Sequence, residues 1–127
     1  VGGCQADVGT ASAMAAGAIV EMMGGTPRQV GNALAICMKN LLGLVCDPVA
    51  GLVEVPCIKR NGVYTAHALT AAEMAMAGIE SQIPPDEVIE TMNIVGRAMP
   101  AALRETSDGG LAKTLTGEKI AKRVRSL

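Results

Sequence analysis

The feature that most constrains this fold is an apolar segment, residues 44–62, in which the helical spacing of apolar side chains disappears. Pro48, Gly51, Pro56 and Gly62 interrupt it. Proline removes a backbone N–H and clashes with the preceding helical turn, and glycine favours turns, so the segment can be neither a continuous helix nor an ordinary strand. We therefore expect an ordered loop or a set of short turns at this point in the chain.

Apolar residues recur at helical spacing on both sides of this segment. A capping box marks the start of one helix, with Thr26 as N-cap, Pro27 in the first position and Gln29 three residues after the cap. The spacing predicts helices over residues 4–23, from 27 to about 43, over 65–79, from 85 to about 99, and a basic, frayed helix over 116–125.

The core must be built from small side chains, because Tyr64 is the only aromatic residue among 127. The 15 Gly and 8 Met fill space that aromatic rings usually occupy. In the first predicted helix the remaining faces carry Ala, Gly and Ser, so we expect burial on most sides. Its predicted apolar stripe is Val8, Ala11, Ala15, Ala18, Ile19 and Met22. We predict an all-α fold, a compact bundle of about four to six helices, with the cysteine-bearing loop against the start of the first helix.

Charge and length exclude several classes of function. The net charge of -1, from 11 basic and 12 acidic residues, gives no footprint for nucleic acid or an anionic membrane. The uncharged stretch at 8–20 is shorter than the roughly 20 apolar residues that a membrane span needs. Because the sequence begins at Val1 without a basic region before an apolar segment, we expect no signal peptide and a fragment or processed chain.

Four cysteines in a non-secretory context favour metal ligation, catalysis or burial over disulfides. Cys46 and Cys57 bracket the proline-bounded loop, and Gly51 allows a turn that brings their thiols together. Cys4 lies near the start of the first helix, where the helix dipole stabilises a thiolate. Three cysteines and one open position suit an iron–sulfur cluster acting as a Lewis acid. The spacing matches no standard zinc or ferredoxin pattern, so buried structural cysteines remain the alternative.

Two other residues are weighed mainly as structural. Cys37 lies on the apolar stripe of the second helix with Val30, Leu34 and Leu41, which favours core packing over ligation. His67, the only histidine, lies in a predicted helix, and a surface or capped histidine is favoured there over a general base.

Four segments carry a resemblance to a known family. They are residues 3–9 (GCQADVG), 23–27 (MGGTP), 43–61 (GLVCDPVAGLVEVPCIKRN) and 104–112 (RETSDGGLA). Together they closely resemble the iron–sulfur-dependent L-serine dehydratases, in the C-terminal part of the alpha chain or alpha domain. The resemblance covers nearly all of the chain.

The resemblance implies a [4Fe–4S] cluster held by Cys4, Cys46 and Cys57, without pyridoxal phosphate. It implies deamination of L-serine to pyruvate and ammonia, in which an iron without a cysteine binds substrate and polarises the departing hydroxyl. It also implies that residues 1–127 are a single cluster-binding fragment, accompanied in the family by an upstream alpha region and a beta subunit or domain. We expect those regions to supply the base, the fragment alone to be inactive, and the enzyme to be cytoplasmic and oligomeric.

Five further residues are candidates for contact with substrate or for support of the site. Asp47 either orients neighbouring groups by hydrogen bonds or caps a turn. Arg60 and Asn61 follow Cys57 closely, and the resemblance favours roles beside the cluster or a substrate carboxylate, with an ordinary solvated turn as the alternative. Arg104 and Ser107 are candidates for lining the pocket. The alternative for Ser107 is to cap a short helix beginning near residue 109.

Two alternative functions remain open at this stage. A related iron–sulfur desulfidase acting on L-cysteine would use the same removal of the α-proton. A helical assembly domain with buried cysteines would instead serve as a docking surface for a separate catalytic part.

Overall fold

The computed structural model describes residues 2–127, and its regular structure there is helical. The α-helices are α1 (Cys4–Met22), α2 (Pro27–Lys39), α3 (Cys57–Met76), α4 (Pro85–Ala98) and α5 (Leu115–Arg125). Single-turn 3₁₀ helices lie at Val49–Gly51, Ala101–Leu103 and Gly110–Lys113. Extended pairing within the described residues is limited to one parallel bridge between Cys46 and Arg104. The predicted all-α class and number of helices are confirmed.

Helices α1, α2 and α3 pack on one another, and α4 packs on α2 and α1. Helix α5 instead packs against the 3₁₀ turn at Val49–Gly51, which belongs to the cysteine-bearing loop. The loop therefore contacts α5 on one side. On another side it is hydrogen-bonded to the bundle, through Gln5 of α1 and Arg60 of α3.

Alanine dominates the buried core, as the near-absence of aromatic residues predicts. The core cluster consists of Ala13, Ala16, Val20, Ala33, Ala35, Ile36, Cys37, Met38, Ala68, Ala71, Ala72, Ala75 and Val88. Small side chains allow helix backbones to approach closely, so dispersion contacts between backbones replace those that large side chains usually make.

The predicted buried stripe of α1 is wrong. Val8 and Ile19 are half-buried, and the exposed members are Ala11, Ala15, Ala18 and Met22. The buried residues of the helix are Cys4, Gln5, Gly9, Ser12, Ala13, Ala16, Gly17 and Val20. Helices α1 and α2 are close at Gly17, where a Cβ would stand 3.4 Å from Val30 Cγ1. The buried face of α1 is therefore displaced from the predicted stripe, and Ala11, Ala15 and Ala18 lie outside it.

The predicted start of α2 is confirmed in detail. The Thr26 hydroxyl accepts a hydrogen bond from the Gln29 N–H at 3.3 Å, and Gln29 Oε1 accepts one from the Thr26 N–H at 2.8 Å. Pro27 occupies the first helical position. Two backbone donors that α2 leaves without helical partners are thereby satisfied.

Helix α3 begins at Cys57, eight residues before the predicted start at residue 65. The irregular segment is therefore shorter than expected and ends at Pro56, the N-cap of α3. Gly62 lies within the helix, where it costs about 1 kcal/mol relative to alanine without stopping the helix. This early start makes Cys57 the first residue of a helix.

The two later helices follow their predictions closely. Helix α4 carries Asp86 and Glu87 in its first turn, as predicted, and ends just before Met99. Helix α5 is capped rather than frayed at its start, since the Thr114 hydroxyl accepts a hydrogen bond from the Gly117 N–H at 3.0 Å. Within residues 2–127, every helix falls short of the length and apolarity that a membrane crossing requires.

Candidate metal centre

Three cysteine thiols face one cavity of about 360 Å³. Cys4 is the first residue of α1, Cys57 is the first residue of α3, and Cys46 lies in the loop that follows α2. All three are buried and free of disulfides. The remaining lining residues are Asp7, Val8, Ala11, Pro48, Val53, Asn61 and Glu105.

Burial raises the pKa of two of these thiols, Cys46 and Cys57. It raises the pKa of Cys46 to about 12, aided by a hydrogen bond with the Cys4 thiol and by nearby negative charge on Cys4, Glu105 and Cys57. Burial also raises the pKa of Cys57, as does the Cys4 charge, while Arg60 and a backbone N–H act in the opposite direction. Because thiolates are the metal-binding form, binding of a metal centre at this cavity must release protons.

The donor set is of the type that iron–sulfur clusters use, namely three cysteine thiols. Within residues 2–127, no three His, Cys, Asp or Glu side chains are grouped closely enough to hold one metal ion. The three thiols nevertheless share one cavity. Ligands of a cluster bind different iron atoms and stand around it, and cysteine thiolate is the usual ligand of such clusters. Three thiols around a cavity are consistent with that arrangement.

The cysteine loop reverses direction through two residues of positive φ, Ala50 at 58° and Gly51 at 74°. Gly51 was predicted to allow such a turn. The N–H of Val49 donates to the carbonyl of Val55 at 2.8 Å and closes the loop. The Val55–Pro56 peptide bond is cis.

A segment distant in sequence, residues 103–107, fixes the same loop. The Cys46 N–H donates to the Leu103 carbonyl at 2.9 Å, and the Glu105 N–H donates to the Cys46 carbonyl at 2.8 Å. The Ser107 hydroxyl donates to the Pro48 carbonyl at 2.5 Å. These bonds set the position of Cys46 against the other two thiols and place Glu105 at the cavity.

Arg60 and Asp47 form a nearly buried ion pair beside Cys4. Arg60 Nη1 lies 2.9 Å from Asp47 Oδ1, and the two side chains are 17% and 3% exposed. The same nitrogen donates to the Val45 carbonyl at 2.8 Å and to Cys4 Sγ at 3.7 Å. Asp47 Oδ1 has this charge contact but no aligned hydrogen bond, whereas Oδ2 accepts one from the Leu111 N–H at 2.7 Å.

The candidate residues from the sequence fall into two groups. Asn61 lines the cavity, whereas Asp47 and Arg60 stand behind Cys4 and do not line it. Arg104 contacts Cys46 through the backbone bridge, and its side chain does not line the cavity. Ser107 bonds to Pro48 and does not cap the turn at Gly110–Lys113, where no side chain caps the N-terminus.

Cys37 and His67 lie away from the thiol cavity. Cys37 is fully buried in the core, and burial raises its pKa to about 11. His67 Nε2 is 2.9 Å from the Cys37 carbonyl, and the histidine ring meets Tyr64 edge-on. The imidazole is therefore engaged in holding α3 against α2.

Two residues near the site, Asp7 and Gln5, were not singled out from the sequence. Asp7 lies three residues after Cys4, and that helical spacing could have indicated a shared face. In the segment 104–107, which was expected to line the pocket, it is Glu105 that lines the cavity, beside the backbone bridge at Cys46. Gln5 is 1% exposed and links Met92 of α4 to the turn after α2.

Comparison with known proteins now decides the family. Residues 1–112 match the family model described as serine dehydratase alpha chain. The chain belongs to the serine dehydratase alpha chain family. Helix α5 lies beyond the residues that this family model matches.

Relatives of this family are highly similar in sequence. The chain is 63% identical over 123 residues to the probable L-serine dehydratase, alpha chain, of Bacillus subtilis (strain 168), covering 97% of this chain and 41% of that protein. The protein of the same description from Latilactobacillus sakei is 62% identical over 123 residues, covering 97% and 59%. The L-serine dehydratase, alpha chain, of Peptoniphilus asaccharolyticus is 54% identical over 121 residues, covering 95% and 41%. The chain therefore spans between about two fifths and three fifths of these relatives.

Proposed function

We propose that this chain is the cluster-binding part of a [4Fe–4S]-dependent L-serine dehydratase, a lyase that deaminates L-serine to pyruvate and ammonia without pyridoxal phosphate. The observation that carries the proposal is the cavity shared by the buried thiols of Cys4, Cys46 and Cys57. The names of the relatives, L-serine dehydratase alpha chains, supply the substrate and the reaction.

The three thiols are the proposed cluster ligands. Cys4 and Cys57 each begin an α-helix, so the positive ends of two helix dipoles favour their thiolate forms once iron is present. Cys46 depends instead on its backbone bonds to Leu103 and Glu105 for its position. Three protein ligands would leave one position of a four-iron cluster without a cysteine and available to substrate.

The bound cluster would supply a Lewis acid that stabilises negative charge on the departing hydroxyl of serine. Around it, Val8, Pro48 and Val53 form an apolar wall of the cavity. Asn61 presents an amide to the cavity, where it can hydrogen-bond to polar groups of the amino acid and orient them. Asp47, Arg60, Arg104 and Ser107 act behind this wall, through the loop that carries Cys46.

The base that removes the α-proton belongs, in this proposal, to polypeptide outside these 127 residues, as do further serine-binding groups. His67 is engaged with the Cys37 carbonyl and does not line the cavity. The relatives are considerably longer than the match, and the alpha-chain description implies a beta partner. We therefore expect the 127-residue chain alone to be inactive, and the complete enzyme to be an oligomer that works in the cytoplasm.

Anaerobic reconstitution with iron and sulfide tests the ligand set. The wild-type chain should take up about four iron atoms and show visible sulfur-to-iron absorption. Cys4→Ala, Cys46→Ala and Cys57→Ala should each lose that absorption. Cys37→Ala is the matched control, because it removes a buried thiol that lies outside the cavity, and it should retain the absorption.

A second measurement separates this function from its alternatives. The partner region of the alpha chain and the beta chain are added to the reconstituted chain, and pyruvate is measured with L-serine and with L-cysteine. Preference for L-serine supports the dehydratase, whereas preference for L-cysteine, with sulfide release, supports a desulfidase. Failure of iron uptake even with the partner regions present would leave the cysteines as structural residues of an assembly domain.

A further inference from the structure

The Arg60 guanidinium contacts other groups of the protein through its Nη1 nitrogen. A single guanidinium nitrogen, Nη1, contacts the Cys4 sulfur, the Val45 carbonyl and the Asp47 carboxylate. The side chain is 17% exposed and does not line the thiol cavity. A cation that binds a substrate carboxylate has to face the cavity with a free donor, and Nη1 of Arg60 does neither.

The partner of Arg60 is itself fixed from the other side. Asp47 is 3% exposed, and its Oδ2 accepts the Leu111 N–H at 2.7 Å. Gly110 allows this approach, because a Cβ at that position would collide with the Asp47 carboxylate. The carboxylate is therefore held between the 3₁₀ turn at Gly110–Lys113 and α3.

The contacts of Arg60 join three segments of the chain that carry the thiols. Arg60 itself lies on α3, one turn after Cys57. Its nitrogen reaches Cys4 at the start of α1, and it reaches Val45 and Asp47 on either side of Cys46. Each proposed ligand thus lies in a segment that Arg60 contacts or belongs to.

We propose that Arg60, held by Asp47, is a positioning residue that places the three thiols for the cluster and donates a hydrogen bond to the Cys4 sulfur. This inference rests on the proposed function for the cluster itself. The preorganisation of the thiols by Arg60 is a property of the iron-free chain as well.

The first test measures the coupling between Arg60 and Asp47 in the iron-free 127-residue chain. Urea unfolding is compared for wild type, Arg60→Met, Asp47→Asn and the double variant. Asp47→Asn keeps an acceptor for the Leu111 N–H and removes only the charge. Each single change should raise the unfolding equilibrium constant roughly tenfold or more, because it leaves a buried partner uncompensated. The unfolding equilibrium constant of the double variant should be at least about threefold smaller than the value expected from multiplying the two single effects.

The exposed pair of Arg28 and Glu80 is the matched control. Its atoms lie 2.6 Å apart, closer than those of the buried pair, but the side chains are 76% and 47% exposed. Arg28→Met, Glu80→Gln and their combination should change the unfolding constant little and independently. The proposal would be overturned if the substitutions at Arg60 and Asp47 changed the unfolding constant as little, and as independently of each other, as those at the surface pair.

The second test has a readout that a purely structural role would leave unchanged. A hydrogen bond to a ligand sulfur stabilises the more negative, reduced cluster and raises the reduction potential. After reconstitution, Arg60→Met should therefore shift the potential to a more negative value, whereas Arg28→Met should match wild type. Equal potentials in the Arg60 and Arg28 variants would refute the sulfur contact. Should wild type bind no iron even with the partner regions present, the proposed function fails, and the coupling in the iron-free chain still tests whether Arg60 and Asp47 hold the three thiol-bearing segments together.

Discussion

The Asp47 carboxylate accepts a hydrogen bond from the backbone N–H of Leu111 at 2.7 Å, across 64 residues of sequence. This bond ties the loop that carries Cys46 to the 3₁₀ turn at Gly110–Lys113. The approach is close because Gly110, at φ 59°, presents no side chain to Asp47. The position of the loop that carries Cys46 thus depends on Gly110, a glycine that is distant from every cysteine in the sequence.

Gly110→Ala should lower the free energy of unfolding by about 3 kcal/mol, combining backbone strain at positive φ with displacement of a buried carboxylate. Gly24→Ala is the matched control, since Gly24 also has positive φ, at 78°, but open space around it. The control should cost about 1 kcal/mol, the strain alone. Urea unfolding of both variants measures the difference, and equal costs would show that Asp47 yields to a Cβ.

Gln5→Leu should destabilise the chain by about 1–3 kcal/mol, because a side chain that is only 1% exposed loses its hydrogen bonds to two backbone groups. Gln5 Nε2 donates to the Met92 carbonyl at 2.8 Å, and Oε1 accepts from the Gly43 N–H at 2.9 Å. Thermal or urea unfolding provides the measurement. The same substitution at exposed Gln82 should stay within about 0.5 kcal/mol. A cost at Gln5 as small as that at Gln82 would contradict the burial of this bridge.

Ser107 offers a test that separates a hydrogen bond from backbone strain. Ser107→Ala loses the bond to the Pro48 carbonyl and should cost about 1 kcal/mol. Ser107→Gly loses the same bond but relieves the positive φ of 59°, so it should cost less than the alanine variant. The two are compared by urea unfolding under identical conditions. A glycine variant that is less stable than the alanine variant would contradict this order.

Alkaline pH should destabilise the iron-free chain through Cys37. Burial raises the pKa of this thiol from 9.0 to about 11. Between those values the unfolded chain loses the proton while the folded chain keeps it, so the unfolded state gains stability as pH rises. The stabilising contribution is complete below pH 9 and lost through pH 11.

The measurement is the free energy of unfolding as a function of pH for wild type and Cys37→Ala, in the presence of reductant. The variant starts from lower stability because it leaves a cavity, but its decline between pH 9 and 11 should be shallower. Parallel curves for the two proteins would show that Cys37 ionises as readily when folded as when unfolded.

Local signals in the sequence were sufficient for several elements. The capping box at Thr26 and Gln29 predicted the start of α2 correctly, because both partners lie within four consecutive residues. The two acidic residues after Pro85 placed the start of α4 for the same reason. The prolines around the cysteine loop predicted an irregular segment, and it is present between α2 and α3.

Other features could not be read from neighbouring residues. The start of α3 at Cys57 was missed because Gly62 suggested a break that packing overrides. The buried face of α1 was misassigned because alanines lie all around the helix, so that spacing alone did not distinguish buried Ala13 and Ala16 from exposed Ala15. Glu105 reaches the cavity only through its backbone bond to Cys46.

By itself, the sequence determined the all-α class, the small-residue core and which three cysteines to consider together. It could do so because composition, helical period and the family motifs are properties of the chain as written. Only the tertiary structure decided that the three thiols share one cavity and that Arg60 contacts Cys4 and Asp47 without lining that cavity. Those relationships join residues up to 56 positions apart, such as Cys4 with Arg60, and they exist only once the helices have packed.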